Sequence, residues 1–201
     1  LRYQGYTGMM RNLLKIMERI SCKCATEVLC VSNGVRETLI ADRICHASKA
    51  KVVLNGSSNG IDITYFSRKS IERNVDKIPT KNFTFCFVGR IVKDKGINEL
   101  ILAFKRLNKI YLDINLLIVG PIETEQNPID KEILEEIRIN KNIYSVVSQN
   151  DVRQYMVDSQ VFVLPSYREG FGVVLMEAGA LGLPCITTNI IGCNEIIQDG
   201  V

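Results

Sequence analysis

The chain has 201 residues, of which 46% are hydrophobic and 23% charged, enough for one sizeable core or for one domain plus part of a second. Lys and Arg number 25 against 22 Asp and Glu, and the basic residues are spread along the chain, which argues against a nucleic-acid partner and leaves room for a local anion site. No apolar run reaches the ~18 residues that span a bilayer, and the start lacks the order of a signal peptide, so a soluble, cytoplasmic chain is expected.

The segment MMRNLLKIMERISCKCA repeats Met10, Leu13, Leu14, Met17 and Ile20 at helical spacing, with Arg11, Lys15, Glu18 and Arg19 between them. It reads as an amphipathic helix facing a core, with a basic face that is also compatible with anionic lipid. A short strand, EVLCVS, follows; then a helix opened by Ser32 or Asn33 with Glu37 in its first turns, and a second strand, KVVLN. GSSNGID reads as a hinge, because its glycines and asparagines suit unusual backbone angles. This divides the chain into residues 1–60 and 61–201.

Beyond the hinge, apolar strands FTFCFVG, INLLIVG, YSVVS, VFVLPS and PCITT alternate with helical stretches near 96–109, 129–139, 150–158 and 172–181. Short apolar strands separated by helices predict a parallel sheet covered on both faces, a doubly wound α/β domain. Ligands of such sheets bind beyond the carboxyl ends of the strands, so chemistry is sought in the loops that follow them. The seven cysteines (Cys22, Cys24, Cys30, Cys45, Cys86, Cys185 and Cys193) lie mostly in apolar stretches and read as reduced thiols; Cys22 and Cys24 without a partner pair make a poor zinc signature, and no metal site is expected. The single histidine, His46, stands in a polar stretch and reads as a surface or loop residue.

The loop after FTFCFV is Gly89-Arg90-Ile91-Val92-Lys93-Asp94-Lys95-Gly96, leading into a helix. Its glycines allow close backbone approach, Arg90 can fork onto phosphate oxygens, and Lys95 adds a charge near the positive helix end. A lone basic residue in a turn is usually only solvated, so the spacing gains meaning in company. That company follows VFVLPS, in YREGFGVVLMEA, where two acids lie eight residues apart. Glu169 precedes the helix start, at the mouth of the sheet. Glu177 lies about one and a half turns into the helix, and helical side chains lean toward the N-terminus, so both carboxylates can face one polyhydroxyl ligand. Between them, Gly170, Phe171 and Gly172 are expected to leave backbone N–H groups free for the charge that grows on a departing phosphate. An acid at a helix start also stabilises the helix dipole and needs no ligand, a role that would suffice for Glu169 alone, but Glu177 stands in the apolar run VVLMEAGALGLP, where a carboxylate is costly unless bonded, and a ribose diol suits it.

GRIVKDKG, then PSYREGFGVVLMEAGALGLP with its E-x7-E spacing, then a polar turn with Gly192 and Glu195, resembles the retaining glycosyltransferases of glycosyltransferase family 4. The resemblance covers nearly the whole chain. It implies a GT-B type fold: residues 1–60 as the end of an N-terminal, acceptor-side Rossmann domain with its hinge, and 61–201 as a truncated C-terminal Rossmann-like domain that binds a nucleotide-sugar donor. SSNGID, DVRQY and GCNEII are most similar to bacterial enzymes that build capsular or lipid-linked surface polysaccharide. By the same resemblance, Arg90 and Lys95 bind and neutralise the donor diphosphate, Glu169 holds hydroxyls of the transferred sugar, and Glu177 holds the ribose. Gly89, Gly170, Phe171, Gly172 and Val173 add donor contacts, and the base lies near Val147 and Ser148. The resemblance further implies a UDP-sugar as donor, no metal or other cofactor, a glycan or lipid-linked acceptor, and a peripheral position of the full-length enzyme on the inner membrane face.

Two departures from the family pattern stand out. The loop GPIETEQNP lacks the second glycine found in many relatives, so no donor contact is assigned to it. The chain also begins inside a helix of the N-terminal domain, so most of the acceptor half is expected to be missing, and the fragment is expected to bind donor with little or no transfer. Among other classes, a hydride-transferring dinucleotide enzyme lacks its GxGxxG here, and a sugar phosphorylase lacks a lysine context for its cofactor. A non-catalytic sugar-nucleotide sensor stays open, although it has no leaving group to stabilise.

Overall fold

A computed structural model describes residues 1–57, 59–71, 82–147 and 149–200. The chain divides into two compact units: residues 1–60 with 169–172 and 191–198, and residues 61–168 with 173–190 and 199–201.

In the first unit, α1 (Gly8–Cys24) precedes β1 (Val28–Cys30), α2 (Asn33–Ala41) and β2 (Ala50–Val52). The two strands pair in parallel, Val28 opposite Ala50. α2 starts where the sequence places it, because the Ser32 hydroxyl accepts from the Val35 amide at 3.1 Å. Tyr3, Cys30, Leu39, Ile44, Cys45 and Ala50 form the buried core, with Leu14 and Cys22 of α1 packed against it. The expectation that the α1 stripe faces a core is met in part. Leu14 does so, whereas Met10, Leu13, Met17 and Ile20 are exposed, because a sheet of two short strands offers too little apolar surface to cover a helix of 17 residues. His46 is exposed, its Nδ1 paired with the Ser48 hydroxyl at 2.7 Å.

The second unit holds a five-stranded sheet of β3 (Phe83–Val88), β4 (Ile114–Val119), β5 (Ile143–Val146), β6 (Val161–Leu164) and β7 (Cys185–Thr187), in the order β5-β4-β3-β6-β7 and parallel throughout. Every residue of β4 is buried, which is why its sequence is a continuous apolar run with a single polar residue, Asn115. α3 (Ile97–Asn108) buries Ile97, Leu100, Ile101 and Phe104 at spacings of three and four, and α4 (Lys131–Ile139) buries Ile133 and Ile137. α5 (Arg153–Val157) and α6 (Val173–Ala180) complete the alternation. β5 starts one residue earlier than the run YSVVS suggests and ends at Val146, since β4, its partner in the ladder, ends at Val119 opposite that residue. No helix among the described residues is long and apolar enough to cross a membrane.

None of the seven cysteines, all among the described residues, forms a disulfide. Cys30, Cys45, Cys86 and Cys193 are buried, while Cys24, at the end of α1, is exposed.

Candidate functional site

From β3 the chain builds outward through β4 and β5 and then returns to place β6 and β7 on the other flank. The order reverses between β3 and β6, the position at which parallel open sheets leave a crevice beyond their strand ends. The loops after β3 and β6 carry the residues singled out in the sequence.

Gly89 ends β3 with φ +154°, and the loop after β4 presses against it: a Cβ on Gly120 would lie 2.0 Å from the Gly89 carbonyl oxygen. The two loops continue side by side. The Ile91 amide donates to the Pro121 carbonyl at 2.8 Å, and Ile91 bridges to Ile122 in parallel fashion. Two residues beyond Pro121, the Glu123 carboxylate receives Arg90, whose Nη1 lies 3.3 and 3.1 Å from its two oxygens. No role was assigned to this loop from sequence, and Glu123 is the residue that reading missed. A signal was available: neighbouring strands in register end side by side, so an acid soon after one faces the cation that follows the other.

Lys93–Lys95 forms a short 3-10 turn closed by Gly96 at φ +70°. A Cβ on Gly96 would lie 2.0 Å from the Pro165 carbonyl oxygen, so the loop after β3 lies directly against the start of the loop after β6. Three contacts fix that approach. The Tyr167 amide donates to the Asp94 carbonyl at 2.9 Å, the Arg168 guanidinium pairs with the Asp94 carboxylate, and the Tyr167 hydroxyl donates to Glu99 at 2.9 Å, which raises the Tyr167 pKa. Asn127 also donates to Asp94, and Lys93 pairs with Asp130 at 2.6 Å. Lys95 is half-buried within this turn, whereas Arg90 is exposed.

Val173 opens α6, and Glu177 follows on its second turn. Glu177 is half-buried and its carboxylate makes no hydrogen bond or ion pair with a described residue; burial pushes its carboxyl above the usual glutamate range. A carboxylate removed from water without a partner is held at a cost, which hydroxyl donors from a ligand would relieve. Val147 lies just past β5 and is 74% exposed. Ser148 lies outside the described residues.

Glu169, Gly170, Phe171 and Gly172 cluster with the first unit. Glu169 is half-buried. Gly170 packs near Val31, and a Cβ on Gly56, which has φ +93°, would lie 2.5 Å from the Val31 carbonyl oxygen and 3.1 Å from the Phe171 ring. The expectation that all three amides of Gly170, Phe171 and Gly172 are free needs correction: the Gly172 N–H donates to the Gly192 carbonyl at 2.8 Å, because the turn 191–195 packs against this loop.

Comparison with known proteins shows the family of the chain. A family model described as glycosyl transferases group 1 matches residues 68–201, well over half of the chain. The chain belongs to this family. It is 36% identical over 202 residues to the Staphylococcus aureus capsular polysaccharide biosynthesis glycosyltransferase CapM, covering 100% of this chain and 53% of that protein. It is 28% identical over 191 residues to an Escherichia coli UDP-Gal:alpha-D-GlcNAc-diphosphoundecaprenol alpha-1,3-galactosyltransferase, covering 92% of this chain and 48% of the relative. This group 1 chain therefore spans about half the length of the curated relatives it matches. The fold, of GT-B type, is shared with the Anabaena protein Alr3699/HepE, solved in complex with UDP: TM-score 0.76 at 20% identity, covering 98% of this chain and 54% of that one.

Proposed function

We propose that this group 1 chain carries the nucleotide-sugar site of a retaining glycosyltransferase that takes a UDP-sugar and serves bacterial capsule or other surface-polysaccharide synthesis. In this reading the full-length enzyme works on a glycan or lipid-linked acceptor at the cytoplasmic face of the membrane. The observation that carries the reading is the pairing of a cation-bearing loop at the sheet's reversal point with the half-buried, unpartnered carboxylate of Glu177. The relatives' roles, in capsule synthesis and with UDP-Gal, suggest the substrate class.

The chemistry follows from charge. As the bond between the sugar's anomeric carbon and the diphosphate oxygen breaks, negative charge grows on the departing diphosphate. Arg90 and Lys95 neutralise it, so no divalent ion is required of this site. Glu169 orients hydroxyls of the transferred sugar, Glu177 accepts from the ribose hydroxyls, and Gly89, Gly170, Phe171, Gly172 and Val173 let the ligand approach the backbone. Val147, just past β5, and Ser148, outside the described residues, are assigned to the base.

The test is calorimetric titration of this chain, in EDTA, with UDP, GDP and ADP, followed by UDP-glucose and UDP-galactose. Saturable binding that favours UDP is expected, weakened by roughly 1–3 kcal/mol in Arg90→Ala or Lys95→Ala as a charge-assisted contact is lost. Absence of binding, or equal binding of all three nucleotides, refutes the assignment.

A further inference from the structure

The N-terminus of α2 is completed by a residue 162 positions away. Its first amides, at Asn33 and Gly34, donate to the two oxygens of Glu195 at 2.7 and 2.9 Å, while Val35 donates to Ser32. The next amide, Arg36, already makes the first bond within the helix, to the Ser32 carbonyl. Glu195 thus takes up the two donors that the local cap leaves over, and a carboxylate at a helix N-terminus is also favoured by the helix dipole.

This cap reaches past α2. Gly34 presses against the same turn: a Cβ there would lie 2.6 Å from Ile191 Cγ2 and 3.1 Å from a Glu195 oxygen. On its other side the turn meets the loop that precedes α6. Gly192, at φ +83°, accepts from the Gly172 amide at 2.8 Å, and a Cβ on Gly192 would lie 2.8 Å from the Gly170 carbonyl and 3.0 Å from the Phe171 nitrogen. At Gly192 backbone therefore packs directly on backbone, while on the α2 side the turn is held through the Glu195 and Ile191 side chains. From these contacts we infer that Glu195 is a positioning residue: by clamping the 191–195 turn to α2, it sets where Gly170–Gly172, and with them Glu169, are held. The link to sugar binding rests on the donor-site reading above; the mechanical link from Glu195 to Gly172 does not.

Two measurements on the full 201-residue chain separate these. Amide hydrogen exchange needs no ligand. In Glu195→Ala, exchange should speed up at Asn33 and Gly34, which lose their acceptor, and also at Gly172, whose acceptor is displaced, while Cys86 and Leu117 in the second unit's sheet keep their protection. Unchanged exchange at Gly172 overturns the inference, whether or not the chain binds any nucleotide. The second measurement compares affinities for UDP and for the tighter-binding of UDP-glucose and UDP-galactose. Glu195→Ala should reduce the sugar-nucleotide affinity by about fivefold and the UDP affinity by less, since UDP shares the diphosphate contacts assigned to Gly170–Gly172 but lacks the sugar that Glu169 is proposed to hold. Glu195→Gln, which keeps one acceptor oxygen, should recover part of the loss. Parallel loss of both affinities, with no recovery in Gln, indicates a general structural role and overturns the positioning role. A wild-type chain that binds neither ligand defeats the donor-site reading instead, and leaves hydrogen exchange to decide on Glu195.

Discussion

Replacing Glu123 by Gln should tighten nucleotide binding. In the structure the Arg90 guanidinium is held by both Glu123 oxygens, at 3.3 and 3.1 Å, with side chains 55% and 28% exposed. An ion pair this open to water is worth about 0.2–1 kcal/mol. A diphosphate that takes Arg90 must break it, and leaves the Glu123 anion nearby. Glu123→Gln removes both effects and keeps the shape, so UDP affinity should rise by about 1.5- to 5-fold at low salt. The assay is calorimetric titration of native chain, Glu123→Gln, Arg90→Ala and the double variant, at ionic strengths of about 0.05 and 0.3 M. The gain should shrink at the higher salt and vanish in the Arg90→Ala background. An equal gain with and without Arg90 would refute the reasoning, because Glu123 would then act on the nucleotide independently of the guanidinium.

Three further outcomes are expected. Burial raises the Glu177 pKa above its ordinary 4.5, so the folded chain holds that proton more tightly than the unfolded chain does. The associated stability is present below 4.5 and is lost as pH rises through the elevated folded value. Relative to native, Glu177→Gln should therefore gain in urea midpoint from acid to neutral pH while losing affinity for UDP; a constant difference across that range would count against a desolvated carboxylate. Gly96→Ala places a side chain at φ +70° and 2.0 Å from the Pro165 carbonyl, and should cost about 2–4 kcal/mol in urea unfolding, with a loss under about 1 kcal/mol contradicting the close approach. With iodoacetamide at mildly alkaline pH, mass spectrometry should find Cys24 modified early and Cys86 untouched until denaturant is added, since burial pushes the Cys86 thiol up to about 12; early labelling of Cys86 would show that β3 opens readily.

Much of the second unit was legible in the sequence because its elements are specified locally. FTFCFV and INLLIV are strands buried in a parallel sheet, and such strands are apolar without alternation. The α3 and α4 helices announce themselves through apolar residues at spacings of three and four. Arg90, Lys95, Glu169 and Glu177 were likewise singled out by position, since the ends of strands and the starts of helices are where open α/β sheets meet ligands. The α1 stripe was legible as a pattern but not as a packing partner, because periodicity tells which residues share a face and not how much surface stands opposite.

What the sequence determined by itself, then, was the set of elements and the loops that join them, as both follow from interactions within a few residues along the chain. Only the tertiary structure decided which charges meet. Glu123 reaches Arg90 because the β3–β4 register ends Val88 opposite Val119, so that the loops that follow run side by side and bring together two residues 33 positions apart. Glu195 caps α2 across 162 positions, and the Gly192 carbonyl takes the Gly172 amide that local reasoning left free. The backbone hydrogen bonds and close glycine contacts that create these pairings depend on where distant segments are brought in space, and no local spacing of residues encodes that.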